Sequence, residues 1–129
     1  MDKVAEFLTR IRNAGAAKHE KVDVPASKLR EGVAAVLKDA GYVKNFKVVK
    51  DGKQGMMRVY LAYKSDGSHA ITSVRRSSRP GRRYYVSSDQ IPSVRSGYGM
   101  AIISTSSGIM GSKEATEKGL GGEVLCTLY

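Results

Sequence analysis

The sequence predicts an α+β protein, with an N-terminal α-β-α-β-β module packed on a mostly β C-terminal module that holds one short helix. Three observations predict it. Two segments in the first half repeat apolar residues at helical spacing, Val4, Phe7, Leu8 and Ile11, then Leu29, Val33, Val36 and Leu37. Between and after them lie segments that alternate or run apolar at strand length. Beyond Ser65 the apolar runs are short, and only one segment has helical character.

Taken in order, Lys3 to Ala14 reads as a helix, with Asp2 as N-cap and Gly15 as stop. Lys21 to Val24 is a short strand ended by Pro25. Ser27 caps a second helix to about Ala40, closed by Gly41. Tyr42–Lys50 and Met57–Tyr63 form a hairpin around Asp51–Gly55; Met57, Val59, Leu61 and Tyr63 share one face. The polar stretch Lys64–Ser68 marks a module boundary, giving modules 1–64 and 65–129. His69–Val74 reads as a strand, and Arg75–Arg83 as a tight basic turn. Tyr84–Val86 is a strand with one tyrosine facing the core. Ser87–Ser96 is a connection, and Ala101–Ile103 opens a buried central strand. Ser112 caps a short helix ending near Gly119, and Glu123–Tyr129 closes as a strand.

The chain has 129 residues, 41% of them apolar, which suits a folded protein. Its 22 Lys and Arg against 12 Asp and Glu leave a net charge of +10 and a pI near 9.9. A folded chain this basic attracts polyanions, above all nucleic acid. A membrane surface is the competing polyanion; no apolar run approaches the ~18 residues of a membrane span, and no membrane partner is expected. The acidic Asp2 and Glu6 do not suit a signal or transit peptide. The single cysteine, Cys126, cannot form an internal disulfide and reads as a buried thiol of a cytoplasmic protein.

Two stretches carry the functional signal. Ser104-Thr105-Ser106-Ser107-Gly108 presents four hydroxyls in a row. It is either a turn that satisfies its own backbone or a surface that reaches phosphates, base edges and 2′-hydroxyls. Arg75, Arg76, Arg79, Arg82 and Arg83 stand in a turn without an acidic residue, followed by Tyr84 and Tyr85. Guanidinium forks beside aromatic faces suit phosphate and unstacked bases, although a merely solvated loop has the same composition.

Catalytic patterns are missing. His19 and His69 have no metal-ligand companions, one cysteine writes no zinc pattern, and the hydroxyl loop lacks the Gly-x-Ser-x-Gly elbow. No dinucleotide or Walker fingerprint completes. No cofactor, no metal and no enzyme activity are expected. Beside the binding of a structured RNA, the residues leave open a free-standing, sequence-tolerant DNA- or RNA-binding regulator and a serine hydrolase using the hydroxyl loop.

Several motifs together resemble the bacterial-type family of the eighth small-subunit ribosomal protein. They are Leu8-Thr9-Arg10-Ile11-Arg12-Asn13-Ala14, Pro25-Ala26-Ser27-Lys28-Leu29, Gly41-Tyr42, Arg79-Pro80-Gly81-x-Arg83, Ser104-Thr105-Ser106-Ser107-Gly108-Ile109-Met110 and Gly121-Gly122-Glu123-x-Leu125-Cys126. They run in family order over nearly the whole chain. The resemblance implies two packed α+β modules and a primary binder of small-subunit ribosomal RNA. That binder docks on the central domain, nucleates assembly there and sits beside neighbouring ribosomal proteins. It implies sugar and base-edge contacts by Ser104, Thr105, Ser106 and Ser107 in the minor groove of a distorted helix. Tyr85 matches the family's aromatic after the Pro-Gly turn, and Glu123 its acidic residue by the RNA. Thr9, Arg12, Asn13 and Lys28 match RNA-facing residues of the first module. Some relatives also bind their own messenger and repress its translation, which adds that messenger as a candidate partner. The chain departs from the pattern at Gly111-Ser112 and at its Thr127-Leu128-Tyr129 finish.

Overall fold

The computed structural model describes residues 3–49, 55–78 and 81–129. The expected Asp2 cap, most of the Asp51–Gly55 turn, and Arg79 with Pro80 lie outside the described residues. The chain divides into two compact units, Lys3–Ile71 and Thr72–Tyr129.

The first unit runs α1 (Lys3–Ala16), β1 (Lys21–Pro25), α2 (Lys28–Asp39), β2 (Val43–Val49) and β3 (Met56–Leu61), the predicted α-β-α-β-β order. β3 is the central strand, antiparallel to β1 and β2. Val4, Phe7, Leu8 and Ile11 of α1 are buried, as are Val33, Val36 and Leu37 of α2 and Met57, Val59 and Leu61 of β3. The Ser27 hydroxyl accepts from the Arg30 N–H at 3.1 Å, a cap worth about 1 kcal/mol. At the other end of α2, Gly41 has φ +83°. The Tyr42 N–H reaches the Leu37 carbonyl at 2.8 Å and the Gly41 N–H that of Lys38 at 3.0 Å. These are the two bonds of a Schellman stop, which requires a left-handed residue there.

Three details differ from the periodicity reading. Gly15 does not end α1; the helix continues to Ala16. A Cβ on Gly15 would lie 2.4 Å from Cγ of His69, so this glycine supplies room for an imidazole and the helix passes through it. Arg30, not Leu29, is the buried residue at the start of α2. Its guanidinium donates to the Pro25 carbonyl at 3.0 Å and faces Glu6 at 4.0 Å, which makes burial of the charge tolerable. Of the expected His69–Val74 strand only the two ends pair, His69 in a single bridge with Tyr63 and Val74 with Leu128. Lys64–Ser68 folds back there, with the Lys64 N–H donating to the Ser68 carbonyl at 2.8 Å.

The second unit contains β4 (Val74–Arg76), β5 (Tyr85–Val86), β6 (Met100–Thr105), β7 (Gly108–Gly111), α3 (Ser112–Glu117) and β8 (Gly122–Leu128). It is a five-stranded antiparallel sheet of order β4-β8-β6-β7, with β5 also paired to β8. This is the predicted mostly β unit with one short helix. Ala101, Ile103, Met110 and Val124 are buried with Ala115 of α3, and Val86, Ile91 and Leu120 pack on them. The Ser87–Ser96 connection holds two one-turn 3-10 helices, Ser88–Gln90 and Arg95–Gly97. β7 has no counterpart in the periodicity: its four residues, two of them glycine, carry no strand signal of their own and pair because β6 supplies the ladder. Ser112 is not the cap of α3; Gly111 holds that position, and the Ser112 hydroxyl accepts instead from the Ala101 N–H at 3.2 Å.

Candidate nucleic-acid interface

The hydroxyl run is a β-hairpin. Thr105 pairs with Gly108, so Ser106 and Ser107 form a two-residue turn between β6 and β7. The Thr105 hydroxyl donates to the Gly108 carbonyl at 2.7 Å and accepts from the Ser107 N–H at 3.1 Å. It closes the turn from within, while the Ser106 and Ser107 side chains remain exposed. The self-satisfied turn therefore describes Thr105, and its bonds present the two serines at an exposed tip.

Register carries the surface onward from the hairpin. Ser104 pairs with Ile109 on one side and Glu123 on the other, and Glu123 pairs with Tyr85. Cross-strand partners project to the same face, so Ile109, Ser104, Glu123 and Tyr85 form one row across four strands. Tyr85 is 67% exposed. Tyr84 is 44% exposed, which corrects the expectation that one tyrosine faces the core. Only Tyr85 and Val86 are in strand geometry, and Val86 supplies the inward residue.

Glu123 organises the basic turn. Its Oε2 accepts from the Ser78 hydroxyl and from Arg83 Nη1, the latter at 3.0 Å. Ser78 is completely buried, and its hydroxyl also accepts from the Tyr84 N–H at 3.2 Å. The Arg76 guanidinium donates to the Leu125 carbonyl, as does the Ser77 N–H at 3.2 Å. The turn is thus fastened to β8 at both ends. Arg76, Ser77, Arg82, Arg83 and Tyr84 line an open cleft of about 410 Å³, where the guanidinium groups concentrate positive potential suited to a phosphate.

The four described arginines of this stretch do not share one face. Arg75 pairs with Thr127 and Arg76 with Cys126, and successive strand residues point to opposite faces. Arg76 shares the face of Ser104 and Glu123; Arg75 is exposed on the other. Arg82 and Arg83 are exposed, and Arg79 is outside the described residues. In the first unit, Thr9, Arg12 and Asn13 are exposed on α1 at a spacing that puts them on one helix face. Lys28 is exposed at the first position of α2.

Charge and hydroxyl content did not reveal Ser78, Gly121 or Gly122. Ser78 carries no charge and is hidden among arginines. A Cβ on Gly121 would lie 2.4 Å from the Val86 carbonyl oxygen, and one on Gly122 2.1 Å from that of Ser104. The two glycines let β8 approach its neighbours where Glu123 must stand; adjacent glycines opening a strand were the available sign. Cys126 is buried, and its thiol is pushed up to about 12 by that burial. Among the described residues no group of His, Cys, Asp and Glu could hold a metal, and no helix is long and apolar enough to cross a membrane.

Comparison with known proteins places the chain among the ribosomal proteins. The chain is 64% identical over 129 residues, all of both chains, to the small ribosomal subunit protein uS8 of Bdellovibrio bacteriovorus. It is 52% identical to that of Geotalea daltonii and 54% to that of Geobacter metallireducens, in each case over 99% of this chain and 97% of the relative. The family model for Ribosomal protein S8 matches residues 2–129, and the chain belongs to that family. It is a structural, non-enzymatic constituent of the small subunit of the cytoplasmic ribosome.

Proposed function

We propose that the chain is a primary binder of small-subunit ribosomal RNA that docks on the central domain and nucleates assembly there. The observation that carries this reading is the row from the hydroxyl hairpin through Ser104 and Glu123 to Tyr85, flanked by the Arg76–Arg82–Arg83 cleft. The A-form minor groove is wide and shallow and displays 2′-hydroxyls. Short alcohols on a stiff turn reach it without ordering long side chains. Ser106 and Ser107 take sugar and base edges, Tyr85 stacks on a base, and Arg82 and Arg83 take phosphates. Glu123 holds Arg83 in place for that contact. Thr9, Arg12, Asn13 and Lys28 add a second set of contacts from the first unit.

Binding of the full chain to a central-domain transcript tests this. Ser106→Ala with Ser107→Ala removes two hydrogen bonds of about 1 kcal/mol each, so affinity falls roughly thirtyfold. The far-ultraviolet circular dichroism stays native, because both side chains are exposed. Unchanged affinity in a folded double variant rejects the hairpin as the contact. Footprinting of the same complex locates the RNA surface, and protection confined to regions outside the central domain rejects that docking site.

A further inference from the structure

The far end of the second unit's sheet carries a second basic and aromatic patch. Tyr98 is 88% exposed, the most exposed large apolar side chain described. It sits on a loop that is fixed, not loose. The Gly97 and Gly99 N–H groups both donate to the Val94 carbonyl at 3.0 Å, and the Tyr98 N–H donates to that of Arg95 at 3.1 Å. Gly99 fits against the last residues of the chain so closely that a Cβ would lie 2.4 Å from the Leu128 carbonyl oxygen and 2.9 Å from Cβ of Tyr129. Arg95 holds a left-handed backbone, φ +51°, which a side chain of this size rarely adopts. Its guanidinium lies 4.2 Å from the centre of the Tyr129 ring and donates to the Tyr129 hydroxyl at 2.8 Å. Strain of this kind persists where the surroundings hold the residue in place, and it marks sites of function.

Arg75 belongs here. It pairs with Thr127, two residues before Tyr129, so Arg75 and Tyr129 share a sheet face. Arg95 and Arg75 both favour the ionised Tyr129 hydroxyl, by hydrogen bond and by charge, and with Ser73 they hold its pKa below the ordinary value. From Gln90 to Lys113 the sequence has no acidic residue. The patch lies at the start of β6, and the hydroxyl hairpin at its end. Six strand residues separate them by roughly 20 Å, and the two surfaces use opposite faces of the sheet.

We propose that Tyr98, Arg95 and Arg75 form a second RNA contact, for an unpaired nucleotide whose base stacks on Tyr98 and whose phosphates are taken by the two arginines. A fixed, exposed aromatic with guanidinium groups nearby is the combination that single strands require. Its distance from the hairpin makes it a separate contact, not an extension of the first. The proposal rests on the chain being an RNA-binding protein, yet it fails or stands independently of the hairpin.

The test uses the full chain and a fluorescein-labelled dodecauridylate, read by anisotropy at moderate salt. Tyr98→Ala weakens binding about fivefold to tenfold, in line with loss of one stacked base, and Tyr98→Phe restores it. Ser106→Ala with Ser107→Ala leaves dodecauridylate binding unchanged while weakening the central-domain transcript. If Tyr98→Ala binds dodecauridylate as the parent does, or if the parent does not bind it, the proposal is overturned. It is overturned equally if polyglutamate of the same charge displaces the oligonucleotide from the parent as well as unlabelled dodecauridylate does, since the patch then suits an acidic protein. Failure of the double serine variant to affect the transcript rejects the hairpin contact and leaves this one standing.

Discussion

Gly122→Ala isolates the close approach that builds the interface. The new Cβ would lie 2.1 Å from the Ser104 carbonyl oxygen, 3.0 Å from its carbon and 3.2 Å from the Thr105 Cα. All three are backbone atoms of β6, so no side chain can swing aside. Relief requires β8 to draw away from β6 by about 1 Å, at the register where Glu123 pairs with Ser104. Overpacking of this kind costs about 1–3 kcal/mol. Reduced freedom of the unfolded chain returns only about 0.4–1 kcal/mol on replacing glycine by alanine. The net effect is a fall in Tm of roughly 3–10 °C for a chain of this length, followed by circular dichroism. Gly119→Ala is the control. It has open space but a φ of +67°, so its cost of about 1–2 kcal/mol comes from backbone strain alone. Both variants lose stability, but only Gly122→Ala shifts Ser104 and the hairpin beyond it, so only that variant loses affinity for a central-domain transcript when compared well below its Tm. A Gly122→Ala protein that melts within a degree of the parent and binds the transcript as tightly would refute the close-approach reasoning.

Glu123→Gln removes the carboxylate that holds both Arg83 and Ser78; the amide keeps the shape but loses the ion pair. It should raise non-specific RNA affinity through the added positive charge while reducing discrimination between the transcript and a scrambled one, measured by competition. Cys126, with its thiol pushed up to about 12, should resist a neutral-pH disulfide reagent in the native protein and react only at the rate of unfolding; rapid native labelling would contradict its burial. His69 is held below the ordinary histidine pKa mainly by burial, with the Lys18 charge adding to it and the Ile71 carbonyl opposing. Its folded pKa lies below its unfolded one, so the unfolded chain takes up the proton first. The neutral form's full contribution is present above about pH 6.5 and declines as pH falls through that value. Comparing Tm between pH 7.5 and 5.5 in the parent and in His69→Gln checks this; an equal drop in both excludes His69 as the cause.

Helical spacing in the first half was strong enough to read directly, because Val4, Phe7, Leu8, Ile11 and Val33, Val36, Leu37 each complete a stripe on the same core. Strand order was not legible, since register depends on partners distant in the chain. β7 exists only beside β6, and β4 is three residues that β8 organises. Gly15 shows the same limit: a stop signal by local chemistry, it is a packing space for His69, 54 residues later. At the candidate site, residue types were legible and their division was not. A run of arginines in the sequence cannot tell that Arg75 and Arg76 leave the strand on opposite faces. Nor does the count of hydroxyls separate Thr105, whose bonds are made within the turn, from the serines it presents.

That inward bonding of Thr105 bears on kinetics. A tip already shaped before encounter has little conformational search to complete on contact, so the ordering cost falls on folding and not on complex formation. Capture by the loop should therefore proceed at a rate governed by diffusion and ionic attraction, with variants at its exposed alcohols altering residence time far more than arrival. Freeing the knot, by Thr105→Val, should reverse that balance and slow arrival itself.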